Sequence, residues 1–345
     1  MICVLFIGAY ISLHLGTIKL PMSAAYNVLL ECFEKNKKEH EQLNVIEENK
    51  SDVKIQNNNV SDIHKAIIKK IRFPRVLAAI LCGAALAVSG AAYQSMFVNP
   101  LVSPSLLGVL AGAAFGASLG MVICQNYFIT QAFAVLFGIV AVLFSLFLSK
   151  YFPGNRLIMM IMGGVISSTL FTSLLSIIKY IADAKNQLPA IVYWLMGGFS
   201  SVTQDTIYFC MPVLVLCILL IVLSSSYLNV LSIGDEEALS LGINVQYVRT
   251  TLIIITTLCS SVTVAVGGMI GWVGMMIPHI ARMIVGHDNR QMVLFSGLLG
   301  ALYLMIIDTI CRTLLATEIP IGIVTSIIGV PFFIFTVIKS NNRWN

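Results

Sequence analysis

Long apolar stretches, repeated along almost the whole chain, limit what this sequence can fold into more than any other feature. Ten are candidate membrane spans, at about 2–18, 76–97, 105–123, 127–149, 157–178, 206–223, 248–268, 272–285, 292–311 and 321–338. Most approach the roughly 20 residues that a helix needs to cross the hydrocarbon core of a bilayer. Charge is distributed to match. Of the 37 Asp, Glu, Lys and Arg residues, 18 lie between Glu31 and Arg75, and the other 300 residues carry 19. Only 11% of the chain is charged, against about 25% in a soluble domain. The chain therefore reads as a single all-α, polytopic membrane domain over residues 1–345, with about ten transmembrane helices. The alternating pattern of a β-barrel is absent.

Two spans depart from the norm. The first is short, and Met1 leads straight into it without the basic segment or cleavage site of a signal peptide. The eighth, Trp272 to Val285, is short and carries Pro278, so freed backbone groups there need protein or water partners. Between the first two spans, residues 34–62 are rich in Lys, Asn and Glu without apolar periodicity. They read as a mobile extracytoplasmic loop. Residues 181–199 mix polar and apolar character and predict a short interfacial helix, with Tyr193 and Trp194 near headgroup level.

Orientation follows from basic residues in short loops. With a cytoplasmic N-terminus, the inner loops and tail hold Lys150, Arg156, Arg249, Arg282, Arg290, Lys339 and Arg343. The outer loops after the first hold Lys179, Lys185 and Arg312. The long first loop carries ten basic residues but eight acids as well, and long loops translocate with weaker regard to charge. Both termini are thus expected in the cytoplasm, with residues 232–244 inside and Arg72, Arg75 and Arg312 outside. The inner segment contains Ile233–Gly242, IGDEEALSLG. Gly234 and Gly242 bracket helix formers, which predicts a short charged helix rather than a floppy loop.

Gly108, Gly112, Gly116 and Gly120 recur every four residues and predict a close-packing helix face. A faint repeat at an offset of 178 aligns Ala87–Val88–x–Gly90 with Ala265–Val266–x–Gly268 and Pro100 with Pro278. It pairs the second span with the seventh, which run oppositely, as in an inverted repeat. No G-x-x-x-x-G-K-S/T phosphate loop occurs, so any use of ATP requires a partner. No metal-ligand or catalytic motif stands out. The eight cysteines form no C-x-x-C pair and sit mostly inside apolar runs, as small buried side chains. Intramembrane acids are scarce, which counts against a proton- or sodium-coupled carrier.

An ordered motif series then resembles a known family. Arg72–Phe73–Pro74–Arg75, Ser89–Gly90–Ala91–Ala92–Tyr93–Gln94 and Asn99–Pro100–Leu101 are followed by Pro104, Leu107–Gly108, Gly197–Gly198–Phe199 and the Gly234–Gly242 loop. Next come Gly271–Trp272–Val273–Gly274, Pro278–His279–x–x–Arg282, Asp308–x–x–x–Arg312, Pro320–Ile321–Gly322 and Gly329–x–Pro331–x–Phe333. The series covers roughly residues 66–338 and resembles the transmembrane permease subunit of ABC importers for iron–siderophores, haem and cobalamin.

The resemblance implies ten helices, with spans 2–5 and 7–10 as the inverted repeat, in a multi-pass protein of the cytoplasmic membrane. It implies a second permease subunit (homo- or heterodimer), two ABC ATPase subunits that use ATP and Mg, and an extracytoplasmic substrate-binding protein. Lipid surrounds the chain; nucleic acid, a resident cofactor and a metal site are not expected. Residues 232–244 would be coupling helices against the ATPase: Gly234 and Gly242 bound them, Asp235, Glu236 and Glu237 give charged contacts, and Ala238, Leu239 and Leu241 apolar ones. Arg72, Arg75 and Arg312 would receive acidic residues of the binding protein. The path would follow the fifth and tenth spans, with Ser167, Ser168, Thr169 and Thr172 on the fifth and Gly154 and Asn155 in the inner gate region. The expected cargo is a metal chelate, with an iron–siderophore favoured and haem or cobalamin as alternatives. An ion-coupled secondary transporter is the rival reading.

Overall fold

A computed structural model describes residues 1–15, 66–124, 126–151, 156–315 and 317–341. The expected loop 34–62 and the gate residues Gly154 and Asn155 lie outside the described residues. Every described element is helical: α1 (Ile2–His14), α2 (Phe73–Met96), α3 (Val109–Ile123), α4 (Tyr127–Tyr151), α5 (Arg156–Ile181), α6 (Gln187–Leu195), α7 (Gln204–Leu223), α8 (Ser225–Leu231), α9 (Asp235–Ser240), α10 (Val245–Gly267), α11 (Val273–Val285), α12 (Asn289–Thr313) and α13 (Ile321–Asn341). A π-turn, Ile68–Arg72, leads into α2, and a 3₁₀ turn, Pro104–Leu107, precedes α3.

Six helices are long and apolar enough to cross a membrane: α2 with its leading turn, α4, α5, α7, α10 and α12. Four shorter apolar helices, α1, α3, α11 and α13, occupy the other expected spans. Among the described residues the first span is shorter than expected, since α1 closes at His14.

The core forms around α2. Its most apolar window is 83% buried, against 28% for α4, α5 and α7, so α2 is central and those three are peripheral. The sequence of α2 explains this position: Gly83, Gly90 and a run of Ala and Ser leave its surface shallow. At Gly83 an added Cβ would collide with the Gly300 carbonyl of α12, and at Gly90 with the Gly274 carbonyl of α11. The second contact has a covalent cause. Pro278 has no N–H to offer the carbonyl four residues before it, so the Gly274 carbonyl is free and turns toward the Gly90 backbone. Gln94 of α2 secures the same turn by donating to the Met275 carbonyl at 2.9 Å.

Small residues also dictate the packing of α3 on α4. Gly112 faces the Phe137 carbonyl and Ala141, Gly116 faces the Phe133 carbonyl, and Gly120 faces Thr130. Gly108 departs from the expected stripe. It is the left-handed residue (φ 90°) between the 3₁₀ turn and α3, and it faces Ser167 and Ser168 of α5 instead. The face therefore begins at Gly112, because Gly108 is needed for the turn.

Motifs distant in sequence meet beside α6. The Gly198 N–H donates to the Gly267 carbonyl at 2.8 Å, Ile321 to Gly197 at 2.9 Å and Gly322 to Met196 at 3.1 Å. Tyr193 is exposed, whereas Trp194 packs inward against small residues of α3, α4 and α10. Only one of the two expected headgroup aromatics thus faces outward.

Candidate functional site

The loop between α7 and α10 folds into two short helices, α8 and α9. Gly234 precedes α9 with φ 139°, and the Glu237 carboxylate lies against its Cα, where a side chain would otherwise sit. Gly242 ends the helix at φ 78°. Its N–H donates to the Leu239 carbonyl at 2.9 Å, and the Ile243 N–H to the Ala238 carbonyl at 3.2 Å. These two bonds are the Schellman pattern, which requires a left-handed residue and so selects glycine.

The faces of α9 divide sharply. Ala238 is fully buried in the core beside α2 and α10, while Leu239 and Leu241 are 60% and 64% exposed. Glu236 and Glu237 also face outward. The expectation that Ala238 offers an outward apolar contact is therefore corrected, because the helix period turns it toward the core. Asp235 is likewise no simple rim charge. Both its carboxylate oxygens accept from Arg249 of α10, Oδ2 from Nη1 at 2.9 Å and Oδ1 from Nη2 at 2.6 Å. Arg249 is 1% exposed, and its Nη2 also donates to the Met96 carbonyl at the end of α2, at 3.4 Å. A groove of about 500 Å³, lined by Asp235, Leu239, Gly242, Asn244, Val245 and Arg249 among others, opens beside this junction.

A second polar junction joins α8, α12 and α2 at the same end. Asn229 Nδ2 donates to Asp288 Oδ1 at 2.7 Å, and Asn229 Oδ1 accepts from the Asn289 N–H at 2.7 Å. Asn289 Oδ1 in turn accepts from Ser95 Oγ at 2.5 Å. Asp288 also caps α12 through the Arg290 N–H at 3.0 Å. The hydrogen bond from Asn229, then that from Arg290, holds the Asp288 carboxyl below the usual carboxylate range.

At the opposite end of α2, the three arginines expected to meet a partner are all buried. Arg75 donates through Nε to Asp308 at 2.9 Å and through Nη1 to Glu318 at 2.7 Å. Arg312 Nε lies 3.7 Å from Asp308 Oδ2, and its Nη2 donates to Ser12 Oγ at 2.6 Å and to the Ser12 carbonyl. Arg72 Nη1 donates to the carbonyls of Leu13 and His14, at 2.7 and 2.9 Å. The arginines thus neutralise two carboxylates and cap the last turn of α1, whose carbonyls lack helical partners. An outward docking role for Arg72, Arg75 and Arg312 is corrected accordingly: these guanidinium groups are satisfied within the chain.

On α5 the four expected hydroxyl residues separate. Ser167 is buried and donates to the Ala141 carbonyl at 2.7 Å, locking α5 to α4. Ser168 is half-buried beside Gly108, while Thr169 and Thr172 are exposed. The exposed stripe extends to Ser173 and Ser176, which sequence reasoning did not single out, although their spacing of three and four residues from 169 and 172 marks one helix face. Arg249 was also missed as a site residue, having been read only as an inner-loop charge.

A multi-pass helical bundle with a capped, outward-presented helix between two spans defines a membrane permease. The comparisons identify the kind. Residues 4–339 match the FecCD transport family, and the chain belongs to it; it is a permease of the ABC importer type. It is 36% identical over 274 residues to the molybdate import system permease protein MolB of Haemophilus influenzae, covering 79% of this chain and 81% of that protein. It is 33% identical over 296 residues to the hemin transport system permease protein HmuU of Yersinia pestis, covering 83% and 87%. Among solved structures, one described as an inward-facing conformation of a metal-chelate type ABC transporter superposes with a TM-score of 0.82 at 32% identity, covering 98% of this chain and 97% of that one.

Proposed function

We propose that this chain is one of two permease subunits, identical or sister, of an importer in the cytoplasmic membrane. Ten helices cross the bilayer, spans 2–5 and 7–10 form an inverted repeat, and both termini are cytoplasmic. Two separate ATPase subunits consume ATP and Mg beneath it, and a binding protein delivers cargo from outside. The observation that carries this reading is α9: a helix capped by glycine at both ends, fixed to the core by Ala238 and Arg249, with Leu239 and Leu241 exposed. A rigid element with an apolar outer face suits transmission of force from a soluble partner, where a loop would absorb it.

The cargo is a metal-containing solute, with an iron–siderophore favoured. The relatives named for molybdate and hemin set the range of alternatives. The exposed stripe of Thr169, Thr172, Ser173 and Ser176 supports a path that is polar yet uncharged, fit for weak contacts with a large solute. The ion-coupled alternative needs a carboxylate free to titrate, whereas Asp308 is engaged by Arg75 and Arg312.

The test is co-purification of the ATPase with the wild-type chain and with an L239D/L241D variant. The wild type should retain the ATPase. The variant should insert into membranes at the same level and lose it, because each substitution desolvates a charge at the contact. Full retention by the variant would overturn the role of α9.

A further inference from the structure

Two polar junctions hold the same end of α2, and one of them passes through a single buried side chain. Arg249 grips both oxygens of Asp235 on α9 and the last carbonyl of α2 at Met96. It is among the largest fully buried side chains in the structure. Such a side chain carries a heavy desolvation cost, and apolar packing would fill the same space without it. Its fork-shaped guanidinium does what an apolar side chain cannot, holding two elements at once in fixed geometry. The contacts between α9 and α10 are otherwise few: Ala238 is the one residue of α9 that is buried.

We propose that Arg249 is the positioning residue that carries displacement of α9 to the end of α2. This rests on the reading of α9 as the ATPase contact and goes beyond it by naming the route into the core. When the partner moves α9, the Asp235 carboxylate draws the guanidinium, and the guanidinium draws the Met96 carbonyl and the residues 97–108 that follow. The second junction, through Asn229, Asn289 and Ser95, holds α8 and α12 to α2 one turn earlier, so α2 answers at its end rather than as a whole.

The experiment is hydrogen–deuterium exchange of the assembled complex, with and without vanadate-trapped Mg-ATP, read on peptides covering 233–244 and 91–108. In the wild type both peptides should change exchange on trapping. In R249M, the 233–244 response should persist and the 91–108 response should be lost. R249K, which can hold Asp235 but cannot fork to Met96, should retain part of it. A purely structural role would raise exchange of 91–108 without nucleotide and leave its response to nucleotide intact, which would overturn the proposal. Should R249M fail to assemble, D235N decides the matter: it keeps shape and removes charge, and an undiminished 91–108 response in D235N would equally overturn it. A wild-type chain that recruits no ATPase would sink the underlying reading instead, a result distinct from either.

Discussion

The carboxylate of Asp308 offers the sharpest test of the energetics. It is fully buried, with Arg75 Nε at 2.9 Å and Arg312 Nε at 3.7 Å. At an effective dielectric constant of about 20, unit charges at these separations attract by about 6 and about 4.5 kcal/mol. Part of that is offset by desolvation of the carboxylate, so breaking the arrangement from one side is expected to cost about 3–5 kcal/mol. D308N is the suitable perturbation, because it keeps the shape and an acceptor for Arg75 while leaving two buried guanidinium groups with only the partly exposed Glu318. The assay is equilibrium unfolding in mixed detergent and SDS micelles, followed by tryptophan fluorescence. R75M and R75M/D308N complete a double-mutant cycle, whose coupling should be about 2–3 kcal/mol, since a second neutralisation removes a charge already stranded. A D308N protein within about 0.5 kcal/mol of wild type, or single effects that simply add, would refute the reasoning.

Two further outcomes are expected. G90A should destabilise by about 3 kcal/mol, at the upper end for overpacking, because its Cβ lands on backbone that cannot rotate away; G274A, whose Cβ meets the Leu86 carbonyl at 3.0 Å, should cost less, and the reverse order of unfolding midpoints would contradict the packing described. The junction at Asp288 should be insensitive to pH from neutral down to about pH 5: its folded carboxyl titrates below the ordinary range, so its stabilisation is present above the unfolded value and is lost only as pH falls through the depressed one. Loss of protection in peptide 225–232 already at mildly acid pH would count against that ion's role.

The ten apolar helices were legible because span length and charge exclusion are local properties. Gly234 and Gly242 were legible for the same reason, since a breaker acts within one turn. What escaped was pairing over distance. Arg75 meets Asp308 and Glu318 across separations of 233 and 243 residues. A flanking arginine looks the same in sequence whether it faces outward or inward, so all three outer arginines were found and all three were aimed wrongly. Arg249 was passed over because an arginine near a span end is what an inner loop should contain; only the groove between α9 and α10 shows it buried. Ser167 and Thr169 were likewise grouped by composition, and one residue of helical phase separates lock from exposed face.

The capping of α1 also sets an order in time. Its last carbonyls receive Arg72 from a position 58 or 59 residues later, but the bonds to Ser12 come from Arg312, 300 residues downstream. At about 5–20 residues per second that interval is about 15–60 s of synthesis. For that time the first helix made is tethered by one arginine alone. Its final seat is completed by nearly the last span to emerge, so a chain stalled before α12 would carry a loosely held α1, a difference that membrane quality control could read.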